Sequence, residues 1–231
     1  MEIIKTTDLS KRYGGIKALD GVNFSVETGR ITGLLGPNGS GKTTFMKIAA
    51  GLLQPTDGQC LIEGKAPCRE TKSIISYLPD RNYLPDWMNT DKLLDYFEDF
   101  YVDFDREKAS GMIQALAIDR SQRFKHLSKG TKEKVQLIMV MSRKAKLYLL
   151  DEPFSGVDPA TRDYILNTIL VNYNPDAAVL ISTHLISDIE NILDGVLFLD
   201  KGKLLLSSTV DQIREEKGKS VDEYFREVFA I

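Results

Sequence analysis

Residues 36–43 read Gly-Pro-Asn-Gly-Ser-Gly-Lys-Thr. They follow a continuous apolar run, Ile31-Thr32-Gly33-Leu34-Leu35, and precede a segment whose Phe45, Ile48, Ala49 and Leu52 share one side of a helix. A G-x-x-x-x-G-K-[ST] loop between a strand and a helix leaves the chain few folds. Its glycines let backbone N–H groups curl around phosphate oxygens, and the helix N-terminus adds about half a positive charge. Lys42 is placed to reach the outer phosphates as a point charge, and Thr43 offers a hydroxyl to Mg²⁺. Gly36, Pro37, Asn38, Gly39, Ser40, Gly41, Lys42, Thr43 and Thr44 are therefore the candidate triphosphate-binding set.

Two further apolar runs, Leu147–Leu150 and Ala178–Ile181, are likewise continuous rather than alternating. Continuous runs suit strands buried on both faces of a parallel sheet, and such sheets bind ligands beyond their carboxyl ends. If the three runs share a sheet, their ends converge. The second ends in Asp151-Glu152-Pro153 and the third in Ser182-Thr183-His184. Beside a phosphate loop, Asp151 is expected to hold Mg²⁺, and Glu152 to accept a proton from attacking water. His184 is expected to hydrogen-bond the γ-phosphate and position that water. A base placed for water implies hydrolysis rather than transfer to a second substrate.

The chain has 231 residues, 42% hydrophobic and 27% charged, with a formal net charge of -3. That length predicts one domain with an inserted subdomain, and the slight acidity argues against a nucleic-acid partner. Two cysteines (Cys60, Cys68) and two histidines (His126, His184) exclude a disulfide framework, a four-ligand zinc site and a His-rich cluster. The first residues lack the apolar core of a signal peptide, and the longest apolar stretch, Val135–Ser142, is far too short to span a bilayer. A soluble protein of a reducing compartment is expected, reaching any membrane through a partner.

Residues 2–4 and 22–26 read as strands, and Pro55-Thr56-Asp57-Gly58 as a turn before a strand ending at Gly64. From about Asp91 to Lys144 the periodicity is helical, an insertion between the first two buried runs. Thr209-x-x-Gln212 and Ser220-x-x-Glu223 are capping-box patterns. Val221, Tyr224, Phe225, Val228 and Phe229 then form an apolar face expected to dock on the domain itself.

Taken in order, these motifs resemble the ATP-binding cassette family, specifically the nucleotide-binding subunit of an ABC transporter. Besides Walker A (36–43) and Walker B (147–152), Leu127-Ser128-Lys129-Gly130-Thr131 resembles the signature Leu-Ser-Gly-Gly-Gln. Ser155-Gly156-Val157-Asp158 resembles the D-loop, His184 the switch histidine and Tyr13 the adenine-stacking aromatic. The resemblance implies an α/β fold: a P-loop NTPase core with a mostly parallel sheet (1–79 and 146–231), an N-terminal antiparallel β subdomain and an inserted helical subdomain (about 80–145). It implies an ATPase using ATP and Mg²⁺, with Lys42, Glu152 and His184 catalytic and Thr43, Asp80 and Asp151 on the metal. It also implies a second ABC ATPase subunit, arranged head to tail so that Ser128 and Gly130 of one copy face the nucleotide of the other. Separate transmembrane permease subunits would hold the protein peripherally on the cytoplasmic face of the cell membrane.

The aromatic-rich run from Tyr83 to Phe104 resembles exporter-type subunits, and Tyr83, Leu84, Trp87 and Met88 are candidate lining for a groove that receives a permease helix. Lys129, Thr131 and Asp80 depart from the family pattern, the last standing where glutamine is usual. Asp80 would add a third carboxylate near Asp151 and Glu152, raising the cost of ionising all three without Mg²⁺. The alternatives are a non-transport cassette acting in DNA repair or on ribosomes, and a regulatory nucleotide-binding subunit. About 85 residues between Walker A and the signature, with no sustained heptads, leave no room for the coiled coils of the repair type.

Overall fold

The computed structural model describes residues 1–172 and 174–230. Its strands divide between two sheets. β1 (Glu2–Tyr13), β2 (Ile16–Val22) and β3 (Ser25–Glu27) form an antiparallel sheet in the order β2-β1-β3. The chain then enters the second sheet as β4 (Ile31–Leu35), passes through the glycine loop into α1 (Lys42–Ala49), and returns along β1 as β5 (Asp57–Ile62). A short α2 (Arg69–Ser73) and β6 (Ile75–Leu78) lead to a helical arm of α3 (Thr90–Phe100), α4 (Arg106–Ala115) and α5 (Lys129–Met141). β7 (Leu147–Asp151), α6 (Pro159–Asn172), β8 (Ala178–Thr183), β9 (Gly195–Asp200), β10 (Lys203–Thr209), α7 (Val210–Lys217) and α8 (Val221–Phe229) complete the chain.

The larger sheet runs β10-β9-β4-β8-β7-β6, parallel throughout except for β10 at one edge. The three continuous apolar runs are β4, β7 and β8, adjacent in the sheet, and every residue in them is buried. Their burial on both faces follows from two hydrophobic clusters. One, around Phe45, Met46, Leu34 and Leu180, joins the sheet to α1 and the antiparallel strands. The other, around Leu35, Phe154, Ile165, Val179 and Phe198, joins the opposite face to α6, α7 and α8. The arm has a core of its own, including Leu93, Phe97, Ile113, Phe124 and Ile138.

Several local expectations need correction. The strand read at 2–4 extends to Tyr13: β2, β3 and β5 all pair with it, which carries its polar second half in extended form. Its irregularity at Asp8 (φ 48°) is held by Asn23, whose Oδ1 accepts the Asp8 N–H at 2.8 Å. The strand read at 22–26 is two, broken between Val22 and Ser25. The strand after the Pro55 turn ends at Ile62 rather than Gly64. Both capping boxes form, with Gln212 N–H to Thr209 Oγ1 at 3.1 Å and Glu223 N–H to Ser220 Oγ at 3.1 Å. α8 docks on its own domain, where Phe225 meets Phe198 edge-on at 5.3 Å.

The arm is fastened to the core mainly at one end. Lys108 Nζ donates to the last carbonyls of two helices, Met141 O of α5 at 2.8 Å and Asn172 O of α6 at 2.7 Å. Arg143, just past α5, pairs with Asp103 at 3.0 Å, donates to Ser73 O at 2.7 Å and lies 4.0 Å over the Tyr101 ring. Among the described residues no helix is long and apolar enough to cross a membrane.

Candidate functional site

The glycine loop is shaped by what surrounds it. A Cβ on Gly36 would sit 2.1 Å from the Leu199 carbonyl oxygen, so the loop leaves β4 pressed against the backbone of β9. Gly41 adopts φ 112°, a conformation that side chains disfavour, and a Cβ there would lie 2.4 Å from Ala18 O. It is the N-cap of α1 and supplies no side-chain cap, and the first turn of the helix carries no acidic residue. The first-turn N–H groups thus face the loop without a side-chain acceptor, which makes an anion site.

Lys42 is 5% exposed. Its Nζ donates to Gly36 O at 2.7 Å and Pro37 O at 3.2 Å, and meets Glu152 Oε1 at 3.2 Å. The other Glu152 oxygen, Oε2, lies 3.0 Å from His184 Nδ1. The tautomer that makes this bond to a carboxylate acceptor is the one with the ring hydrogen on Nδ1. Glu152 therefore bridges the lysine of the cradle to the histidine at the end of β8. Its backbone is in the left-handed region (φ 49°), and its N–H donates to Ser182 O and Oγ, both at 3.0 Å.

Asp151 is fully buried. Its Oδ1 accepts from Ser182 Oγ at 2.5 Å and Thr43 Oγ1 at 3.2 Å, while Oδ2 has no hydrogen-bond partner. Burial pushes its carboxyl above the usual range, opposed by the hydroxyls of Ser182 and Thr43 and reinforced by the charges of Asp80 and Glu152. An orphaned buried carboxylate oxygen beside a threonine hydroxyl is an all-oxygen donor set that fits Mg²⁺. Among the described residues no group of three or more His, Cys, Asp or Glu side chains could cage a metal. The fit is accordingly to a cation that takes one or two protein oxygens and keeps water and phosphate for the rest, as Mg²⁺ does.

A cavity of ≈ 360 Å³ opens over these groups, lined by Asn38, Gly39, Ser40, Gly41, Lys42, Thr43, Thr44, Asp80, Glu152 and His184, with Ala18 and Ser155. The sequence-derived set is thus largely gathered in one place. Tyr13, Gly36, Pro37, Ser128, Gly130 and Asp151 are not in its walls, Asp151 being joined to it through the Thr43 hydroxyl, from which it accepts a hydrogen bond. Tyr13 is half-exposed at the end of β1 with Lys11 Nζ 5.5 Å over its ring. Ser128 caps α5, accepting the Thr131 N–H at 3.2 Å and lying 2.8 Å from Thr131 Oγ1. A Cβ on Gly130 would meet Thr161 Oγ1 at 3.2 Å, and Lys129 Nζ donates to Gly156 O at 2.9 Å. The start of α5 is therefore tied to the start of α6.

Two contributors escaped the sequence reading. Ser182 binds Asp151 at the end of β7 and Glu152 just after it; the signal was its place opposite Asp151 at the ends of parallel neighbours. Gln136, buried on α5, grips the loop after Asp80 by donating to Asn82 Oδ1 at 2.7 Å and accepting the Tyr83 N–H at 3.2 Å. The groove expected around Tyr83, Leu84, Trp87 and Met88 is also placed differently. Leu84 and Met88 are buried in the arm core, and Trp87 is exposed. The cavity there, ≈ 430 Å³, lies between α1, β6 and the arm, with Tyr83, Ile75, Tyr77, Phe97, Tyr101 and Val140 in its walls and Lys47, Lys72 and Arg143 beside them.

Comparison with known proteins agrees with this geometry. A family model described as ABC transporter matches residues 19–155. The ABC transporter ATP-binding protein YtrB of Bacillus subtilis (strain 168) is 31% identical over 219 residues, 93% of this chain and 74% of that protein. The SkfA peptide export ATP-binding protein SkfE of the same organism is 28% identical over 222 residues, 94% of this chain and 93% of its own. A solved ATP-binding subunit of an ABC transporter superposes with a TM-score of 0.88 at 27% identity, covering 98% of this chain and 99% of that one.

Proposed function

Since this chain belongs to the ABC transporter family, as one of its ATP-binding, ATP-hydrolysing members, we propose that it powers a membrane exporter by closing and reopening a head-to-tail dimer around ATP. The observation that carries the proposal is the Glu152 bridge between Lys42 and His184. Phosphates entering the glycine loop compete for the Lys42 ammonium, which now spends its charge on two carbonyls and Glu152. Drawing the lysine away leaves Glu152 Oε1 free to accept a proton from water, while His184 keeps the carboxylate oriented from its other oxygen. Thr43 and Asp151 would hold Mg²⁺, with Asp80 adding negative charge nearby; bound there, the ion neutralises charge on the phosphates during transfer.

Ser128 and the backbone N–H groups around Gly130 lie outside the cavity of their own chain, which is what a contribution to a partner's nucleotide requires. In this reading Tyr13 stacks on the adenine, and hydrolysis removes the shared ligand so that the dimer opens. The ≈ 430 Å³ groove between arm and core takes a helix of a separate permease subunit, whose membrane location the ATPase shares. Likeness to a peptide-export protein supports the export direction.

The test is Glu152→Gln. Turnover should fall by about a hundredfold or more, and an ATP-bound dimer should accumulate on size exclusion. A variant that hydrolyses ATP at the parental rate would remove Glu152 from the role of base. Co-purification with a multi-spanning membrane protein tests the partner, and ATP-dependent movement of cargo in oriented vesicles tests the direction.

A further inference from the structure

One buried group at this site has no role in the scheme above. Tyr77 stands on β6 in register with Leu149 of its parallel neighbour β7, and Asp151 follows Leu149 by two residues. Side chains two apart on a strand share a face, so Tyr77 and Asp151 project from the same side of the sheet. That side faces α1, whose Thr43 bonds Asp151. The Tyr77 hydroxyl oxygen is buried and has no hydrogen-bond partner, and Asp151 Oδ2 is in the same condition. Two orphaned polar atoms, a donor and an acceptor on one face, are unusual in a core where nearly all such atoms are paired.

Burial pushes the Tyr77 phenol up, followed by the charges of Asp151 and Asp80 and, least, by Asp151 as a weak acceptor that the hydroxyl approaches without reaching hydrogen-bond geometry. Those two carboxylates are the anions that bear on the phenol, and it stays a neutral O–H donor throughout the working pH range. Mg²⁺ binds through few carboxylates and keeps several waters, and such ligands are held in place by outer hydrogen bonds. We propose that the Tyr77 hydroxyl is the outer-shell donor of the magnesium site, a positioning residue that hydrogen-bonds Asp151 or a metal-bound water once Mg·ATP is in place. The inference rests on the Mg·ATP reading of the cavity. It gives one side chain two neighbours, because the same ring also lines the groove between arm and core.

The test compares Tyr77→Phe, which keeps the ring, with the parent and with Lys42→Ala. Thermal unfolding without nucleotide reads the orphan state. Calorimetric ATP titration, in EDTA and then over a magnesium series, reads the metal. The melting temperature of nucleotide-free Tyr77→Phe should equal or exceed the parent's by up to about 4 °C, since an unpaired hydroxyl is removed. ATP affinity in EDTA should stay within about twofold, while the magnesium concentration for half-saturation rises about tenfold. A drop in the nucleotide-free melting temperature would show that the hydroxyl already serves the empty protein, and overturn the proposal. So would an unchanged magnesium requirement beside normal Mg·ATP uptake by the parent. If the parent takes up no Mg·ATP, or Lys42→Ala binds as tightly as the parent, the nucleotide-site reading fails and this inference with it.

Discussion

The glycine loop and the start of α5 both present backbone N–H groups at a helix N-terminus, yet they are built in opposite ways. The loop is enclosed: Gly36 has the Leu199 carbonyl against it, Gly41 the Ala18 carbonyl, and Lys42 is nearly inaccessible. The start of α5 is less enclosed: its Ser128 and Thr131 hydroxyls satisfy each other, and a Cβ on Gly130 would meet the Thr161 hydroxyl at 3.2 Å, a tight contact with a side chain rather than a clash with backbone. One half of the proposed composite site is thus completed by the chain's own fold, and the other is finished only as a helix end. Departures from the family pattern fall on both sides, Asp80 in the wall of the enclosed cavity and two residues at the start of α5. Lys129 and Thr131 replace family residues at the less enclosed end, whereas the glycine loop itself keeps its pattern at every position.

The sharpest attack on this contrast is a methyl group at each place. Gly36→Ala forces the Leu199 backbone to move and is expected to destabilise the protein by about 3 kcal/mol. That lowers the melting temperature by about 6–12 °C and abolishes ATP binding in calorimetry. Gly130→Ala should change stability by less than about 1 kcal/mol and leave the ATP affinity of the isolated subunit unchanged. It should lower turnover of the assembled dimer by about tenfold to a hundredfold, through misplacement at the closed seam. Equal stability losses at the two glycines would erase the distinction.

Next in size is the pH response of the enclosed side. Burial raises the Asp151 carboxyl in the folded chain, so its protonated form favours the fold. The corresponding stability is present below the ordinary aspartate range and is lost as pH rises through the raised value. Magnesium takes the ionised form, so its affinity should climb over that same interval. Melting curves of the nucleotide-free protein across pH 4–7 should slope accordingly in the parent and flatten in Asp151→Asn. A smaller effect is expected of Asp80→Asn, which removes a negative charge acting on Asp151. ATP binding should then depend on magnesium a few-fold less steeply than in the parent, and an equal dependence would count against Asp80 as part of the site. Smallest of all is Lys129→Gly, which deletes a contact to Gly156 O from a side chain that is 65% exposed. Its stability change should stay within about 0.5 kcal/mol in chemical denaturation.

The cradle was legible because its signals are local: a buried strand, glycines at fixed offsets and a helix in succession. Asp151 at the end of β7, Glu152 after it and the histidine after β8 were legible because each lies at the end of a continuous apolar run. Less legible were elements that other segments hold in place. The second half of β1, Thr7 to Tyr13, is polar and takes strand form because β2 and β5 pair with it. α6 went unread because two of its four buried positions are Thr161 and Thr168, which blur the apolar stripe between Ile165 and Ile169. The β9–β10 hairpin turns at Lys201-Gly202, between Asp200 and Lys203, with both φ values positive, as a two-residue type I′ loop does, and a Lys-Gly pair is a weaker sequence signal for it than Asn-Gly or Asp-Gly. Ser182 and Gln136 act through partners distant in sequence, and no local pattern announces them.

The fastening of the arm has a mechanical consequence. Lys108 and Arg143 bolt α5 at its C-terminal end, the Gln136 amide holds its middle, and the Lys129 ammonium joins its first residue to Gly156. A helix of 13 residues is about 20 Å long, so a turn about the Lys108 end would use it as a lever with its fulcrum there. Turning it by about 10° would swing Ser128 through about 3.5 Å while scarcely stirring the fulcrum. Small rearrangements near the bolted end would thereby be magnified at the proposed seam between subunits.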